Sequence, residues 1–443
     1  MAPAEGPAVK YARTMLLVGT LTFGWHSAQA NEPPAALMSY GNEMKPPDER
    51  DEPLDKVLQQ PLFGDWGPRQ VLADEGVTFI AQYIGEPAWN DRGYKGTGWT
   101  YAQELDFGAV LNLRKLGWAD AGVLRVLLSD RLGTAAQENT GAYIQDQAYW
   151  GQGQNFRLDE VSYERTFLSD RLNVKGGFYS MGNDFGGLPD VCNFNTNGTC
   201  GHPLGPLYGS GWLDSPTGGW GTRLKWAASS SGWYAQAGVY DVTPDRKEHN
   251  QGFNLDFSNT TGVIVPMEVG YVHGKTPDDY AGTYKIDLYY DSSRVSDVAD
   301  PTRKVSGRTG GYIQGAQEIW KPSAGTVRGL SVFAVASLAD SDTGLFHTYY
   351  ETGLSWRGPT PARHDDWVSL GWMQANINSA VRAAEESAGK PGQTNEQLIE
   401  LNYTCQAMPW LLVRPALQYA VRPGGYSGRP DTVIFSAHIQ VTF

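Results

Sequence analysis

Val433-Ile434-Phe435-Ser436-Ala437-His438-Ile439-Gln440-Val441-Thr442-Phe443 is the stretch that decides the fold class. Val433, Phe435, Ala437, Ile439, Val441 and Phe443 occupy one set of alternate positions, and Ser436, His438, Gln440 and Thr442 occupy the other. Successive side chains of a β-strand point to opposite sides, so the stretch reads as a strand with one apolar and one polar face. Lipid on one side and water on the other demands that pattern of every strand in a membrane barrel.

The same alternation recurs through the chain. Leu105, Phe107, Ala109 and Leu111 oppose Glu104, Asp106 and Asn112, while Trp220, Leu224 and Trp226 oppose Arg223 and Lys225. Tyr284, Ile286, Leu288 and Tyr290 oppose Lys285 and Asp287, and Ile399, Leu401 and Tyr403 oppose Glu400, Asn402 and Thr404. With less regular segments near 77–84, 122–130, 156–167, 264–272, 309–318, 365–373 and 411–421, about 16 strands are expected. No run reaches the roughly 18 apolar residues that a membrane helix needs. A bilayer offers no partner for unpaired backbone groups, so strands that span it must close into a barrel. The expected fold is therefore all-β, a transmembrane antiparallel β-barrel with a water-filled lumen. Its abundant Trp, Tyr and Gly suit aromatic girdles and turns. Short turns such as 168–171 alternate with long polar stretches at 131–155, 181–218, 241–262, 291–308 and 374–395. These stretches are expected to be extracellular loops, one or two of them folding inward.

Lys10 and Arg13 precede an apolar stretch from Met15 to Trp25, followed by Ala28-Gln29-Ala30. This reads as a signal peptide over 1–30 with cleavage after Ala30. Residues 31–60, rich in Pro, Glu and Asp, read as a flexible periplasmic extension, and 61–443 as the barrel. Cys192 and Cys200 bracket a polar loop in an exported chain, and a disulfide is expected between them. Cys405 lies in a strand, with lipid or a packed neighbour as its expected surroundings.

Leu62-Phe63-Gly64-Asp65-Trp66-Gly67-Pro68-Arg69 is followed by Gly76-Val77-Thr78-Phe79 and then by Gly85-Glu86. Trp150-Gly151-Gln152-Gly153-Gln154 precedes Arg157-Leu158. Val174-Lys175-Gly176, Asp184-Phe185, Val413-Arg414-Pro415 with Leu417-Gln418-Tyr419, and Pro423-Gly424-Gly425 come after it. In this order the set resembles the carbohydrate-selective porin family of Gram-negative outer membranes. The resemblance implies a 16-stranded barrel for passive diffusion of monosaccharides such as glucose. It also implies inward loops on which two arginines and an acidic residue face the sugar. Arg131 matches the first arginine. Ala148 stands where the acid is expected and Gln152 where the second arginine is, with Asp146 or Glu138 near enough to supply a carboxylate. Phe443, closing an amphipathic strand, resembles the signal read by the barrel-assembly machinery.

The polar faces carry both signs: Arg125, Arg131, Arg157, Lys175, Arg223 and Lys225 against Glu104, Asp106, Glu160 and Glu164. Guanidinium and ammonium groups donate and carboxylates accept, which suits a polyhydroxylated neutral solute. The pore set is thus Arg131, Asp146, Gln152, Arg157, Glu160, Glu164, Lys175 and Arg223. Glu160 and Glu164 share a face with Ser162, as lumen wall rather than a glycosidase pair, and no enzyme activity is expected. The histidines show no metal spacing and Gly151 to Gly153 do not lie between a strand and a helix, so no metal or other cofactor is expected. A net charge of -13 argues against nucleic acid. The expected partners are small sugars and outer-membrane lipid, with the barrel a monomer or a homotrimer. The rival readings are a porin without sugar preference and a secreted lectin-like β protein.

Overall fold

The computed structural model describes residues 62, 67–118, 122–150, 155–188, 192–199, 203–228, 231–274, 276 and 278–443. The expected signal peptide and extension, Gln152 and Cys200 lie outside the described residues.

After a helix, α1 (Gly67–Asp74), come β1 (Val77–Asn90), β2 (Gly98–Asn112), β3 (Val123–Thr134), β4 (Phe156–Phe167), β5 (Leu172–Tyr179), β6 (Gly219–Ala227), β7 (Trp233–Val242), β8 (Gly262–His273) and β9 (Gly282–Asp291). A two-stranded pair, β10 (Val295–Ser296) and β11 (Lys304–Val305), sits in the next loop. Then follow β12 (Arg308–Trp320), β13 (Gly329–Leu338), β14 (Phe346–Arg357), β15 (Trp367–Ile377), β16 (Asn395–Met408), β17 (Leu411–Val421) and β18 (Thr432–Thr442). All but β10 and β11 pair with their neighbours into one closed antiparallel barrel of sixteen strands. The twelve segments named from the sequence each fall on one barrel strand. No described helix is long and apolar enough to cross a membrane.

The seam between first and last strands is continuous, from Gln82 opposite Thr442 to Asn90 opposite Ile434. At its end the Phe443 N–H donates to Ala81 O at 2.9 Å, and Arg69 of α1 donates to the Phe443 carbonyl. That helix is not legible as such in the Gly-Asp-Trp-Gly motif, which carries no long apolar period.

The alternation sets the two faces. Phe435, Leu401, Leu288, Leu224 and Phe107 are exposed on the outside, whereas Ser436, Glu400, Asp287, Arg223 and Glu104 are buried inside. A charge on the outer face at mid-bilayer would cost about 2–4 kcal/mol, which is why none of these strands places one there. The turn at 168–171 is as expected, built from Leu168, Ser169 and Asp170 with φ of 57°, 52° and 65°. Three successive left-handed residues make it tight enough to join β4 to β5 directly.

One irregularity in the wall matters for function. Leu127 pairs with Glu160 but Leu128 with Leu158, so Asp159 is an extra residue in β4. This bulge flips the parity of the strand. Arg157 and Asp159 before it, and Glu160, Ser162 and Glu164 after it, are all buried.

Candidate functional site

Two loops fold into the lumen. The first, described over 135–150, leaves β3 through a short helix, α2 (Gln137–Thr140), and crosses to the β16–β18 side. Glu396 of β16 accepts from the N–H groups of Tyr143 at 2.9 Å and Ile144 at 2.7 Å, and also from Gly424 N. Glu86 of β1 accepts from Tyr149 N at 3.0 Å, and Gln418 donates to Asp146 O at 2.8 Å. The second loop, described over 180–188, 192–199 and 203–218, spans more of the wall. Glu400 of β16 accepts from Asn195 N at 2.8 Å and Thr196 N at 3.1 Å, while Arg414 donates to Phe194 O at 2.9 Å. On the other side Gln236 donates to Asp184 O and Gln314 to Gly186 O, at 2.7 and 2.9 Å. The loops also grip each other, Ala148 N donating to Asn195 O at 2.8 Å. Glu396 and Glu400 are four residues apart on one strand face, so a single strand anchors both loops.

The wall from β2 to β6 holds the charges. Arg131 is 5% exposed; its Nε donates to Glu104, its strand partner on β2, and its guanidinium lies 5.4 Å from the centre of the Tyr149 ring. The Tyr149 ring in turn lies tilted against His438, with centres 5.4 Å apart, and His438 pairs with Glu86 at 3.2 Å. Arg131 stands on the strand itself, because β3 continues to Thr134 rather than ending at residue 130. Asp106 and Arg125 are only partly buried on the same wall.

The other expected pore residues have more specific roles than a solvated lining. Lys175 lies 3.3 Å from Glu160 and 3.5 Å from Asp184, and Arg223 lies 3.3 Å from Glu164 and 3.4 Å from Asp184. Asp184 comes from the second loop, so Lys175 and Arg223, each also paired with a wall glutamate, clamp it. Burial alone would raise the Asp184 carboxyl, but Arg223 and Lys175 outweigh it and hold the group below its ordinary value. Arg157 is buried against Asn155, Thr217 and the carbonyls of Arg246 and Glu248, which makes it a brace between loops rather than an open donor.

Asp146 does not supply the missing constriction carboxylate. It is fully buried and neither oxygen has a hydrogen-bond partner; burial, then Glu396 and Glu400 nearby, push it well above the ordinary carboxylate range. Glu138 is exposed on α2. Cys405 is a free thiol whose sulfur accepts from Arg363 at 2.8 Å, not a group packed only against lipid.

The sequence reading missed Asp159, Asp184, Tyr149 and Glu396. Asp159 accepts from Ser215 at 2.8 Å, and its other oxygen is buried without a partner. Its only sequence signal is the Asp159-Glu160 doublet, which breaks period two. Tyr149 and Asp184 lie on loops, where no period exists to reveal facing. Among the described residues, no group of His, Cys, Asp and Glu is placed to hold a metal.

A closed barrel narrowed by two inward loops, with a charged wall opposite their seats, is the geometry of a solute channel. The profile of the family described as carbohydrate-selective porin, OprB family, matches residues 96–443. Porin B of Pseudomonas aeruginosa is 28% identical over 420 residues, covering 86% of this chain and 91% of that protein. The putative porin QuiX of Acinetobacter baylyi is 28% identical over 417 residues, covering 87% and 93%. The high-pH structure of Pseudomonas putida OprB superposes with a TM-score of 0.81 at 28% identity, covering 87% of this chain and 98% of that one. The chain belongs to the OprB family of carbohydrate-selective porins, β-barrels of the Gram-negative outer membrane.

Proposed function

We propose that this porin passes neutral monosaccharides such as glucose by passive diffusion, selecting them where Arg131, Glu104 and Tyr149 meet. The observation behind this reading is the fixed Arg131, held by one carboxylate and lying over one aromatic ring. A guanidinium presents donors in a rigid fork and a carboxylate presents acceptors, so together they replace part of a sugar's hydration. The partly exposed Asp106 and Arg125 extend such contacts along the wall. Dispersed weak contacts let the solute leave as readily as it enters. The lumen Glu160 and Glu164 serve the wall, and no catalysis is assigned to them.

Liposome swelling over sugars of increasing size tests this reading. Monosaccharides should enter fast and trisaccharides hardly at all, whereas equal entry of all would overturn it. The substitution of Ala148 and Gln152 for the family's acid and second arginine favours a second reading, a small-solute porin without sugar preference. Glucose that leaves ion conductance unchanged in a planar bilayer would support that alternative.

Three further assignments belong to the same proposal. Cleavage after Ala30 releases a mature chain whose 31–60 segment extends into the periplasm; amino-terminal sequencing of the purified protein checks it. Cys192 and Cys200 form a bridge in the second inward loop, supported by the free state of Cys405; non-reduced peptide mass spectrometry should find the crosslink. Phe443 is the residue read by the barrel-assembly machinery, so its deletion should cut assembly severely. Cross-linking in the membrane would separate monomer from homotrimer.

A further inference from the structure

The loop between β7 and β8 behaves unlike the two that enter the lumen. Phe253, Leu255 and Phe257 are 53%, 39% and 59% exposed. They do not hang free above the barrel. The Phe253 ring lies 5.5 Å from Phe156, which stacks on Phe107 at 5.8 Å, and Phe257 lies 6.2 Å from Trp220. Phe107, Phe156 and Trp220 are exposed on the lipid-facing side of β2, β4 and β6. The segment therefore lies over the outer wall at the extracellular rim and continues its aromatic surface.

The reason it lies there is in the strand lengths. β5 ends at Tyr179, opposite Gly219, and pairs with β4 only up to Val161, which leaves Phe156–Glu160 of β4 without a neighbour on that side. The Leu158 N–H is instead satisfied by Gly252 O at 2.9 Å. A Cβ on Gly252 would come within 2.4 Å of Phe156 O, so only glycine permits this approach. Three further carbonyls of the segment are also taken up. Trp220 Nε1 donates to Leu255 O at 2.8 Å, and the buried Arg246 donates to Asn254 O at 3.1 Å and Asp256 O at 3.0 Å.

From this geometry we infer that Gly252–Ser258 is an outer-leaflet lipid anchor, with Phe253, Leu255 and Phe257 inserted among the acyl chains at the membrane interface. Irregular backbone at membrane depth needs its polar groups satisfied from within the protein, and these carbonyls are. The apolar patch is continuous with the lipid-facing wall, and exposed Asp256, Ser258 and Asn259 beside it give the polar edge an interface requires. A second copy of the chain fits the same surface less well. Three such side chains bury roughly 500 Å² at most, below the roughly 800 Å² per partner of a stable interface.

The test is a photo-crosslinking amino acid placed in turn at Phe253, Leu255 and Phe257 of the full-length protein, assembled in its own outer membrane. Leu224 on the outer wall and Lys390 in an exposed loop serve as lipid and water references. The lipid-adduct yield at the three positions should be roughly that of Leu224 and about tenfold above Lys390. Yields at the Lys390 level would overturn the anchor and place the segment in water. Adducts to a second copy of the chain would overturn it in favour of a protomer interface.

Discussion

The two loops that narrow the lumen share a glutamate seat on β16 and differ in what else holds them. The first rests on Glu396, which grips backbone N–H groups, beside Asp146, a carboxyl buried without a partner. The second is clamped at Asp184 by Lys175 and Arg223, which also pair with Glu160 and Glu164. Both loops reach β16, through Glu396 and Glu400. Apolar clusters against the inner wall also hold the loops, through Ile144 of the first and Leu188, Phe194 and Trp212 of the second. The hydrogen bonds and ion pairs add polar seats, and each type responds differently to mutation and pH.

The largest expected effect comes from the clamp. Arg223→Ala leaves Asp184 and Glu164 buried with one cation fewer, a loss of about 3–5 kcal/mol for a buried pair cut on one side. It should free the second loop, seen as raised and noisy single-channel conductance with the barrel still assembled. Unchanged conductance would show that the clamp is not what seats the loop. Glu396→Ala is of comparable size, since it strips the acceptor from the Tyr143, Ile144 and Gly424 N–H groups at about 1–3 kcal/mol for each group left dry. Hydrogen exchange should rise at Tyr143 and Ile144 and stay unchanged at Asn195. A rise at both would mean that the loops move as one unit.

The smallest effect separates the loops by pH. The Asp146 carboxyl is raised in the folded protein, so its contribution is present while it is protonated and is lost as pH rises through that raised value. The Asp184 carboxyl is lowered below 3.8, so its contribution is present above the ordinary range and lost only as pH falls through the lowered value. A rise in pH should therefore loosen the first loop, and a fall below the ordinary carboxylate range the second. In Asp146→Asn the loosening at raised pH, followed by exchange at residues 143–146, should vanish. Its persistence would assign the effect elsewhere.

How much of this was readable without coordinates depends on periodicity. The strands with clean alternation were legible, because lipid and water impose period two over eight or more residues, as in Thr432–Thr442. Arg131, Glu160, Glu164, Lys175 and Arg223, read as lumen-face residues for the same reason, are buried on the inner side of the barrel. What they touch was not readable. Arg223 reads as an ordinary lumen charge remote from the first inward loop, yet it holds the second one through a carboxylate 39 residues earlier in the chain. Asp159 was hidden by the bulge that turns it inward, and Asp146, the nearest spare carboxyl in sequence, faces β16 rather than Arg131. Loop residues obey no period, so their contacts follow only from closure of the barrel around them.

The central claim is that Arg131, oriented by Glu104 and Tyr149, sets discrimination among sugars. Liposome swelling with glucose and with a disaccharide, comparing wild type with Arg131→Ala at equal folded yield, tests it directly. The disaccharide-to-glucose rate ratio should rise at least about twofold as the fixed donors are lost and the passage widens. An unchanged ratio in a fully assembled Arg131→Ala barrel would contradict the account and place selection elsewhere in the lumen.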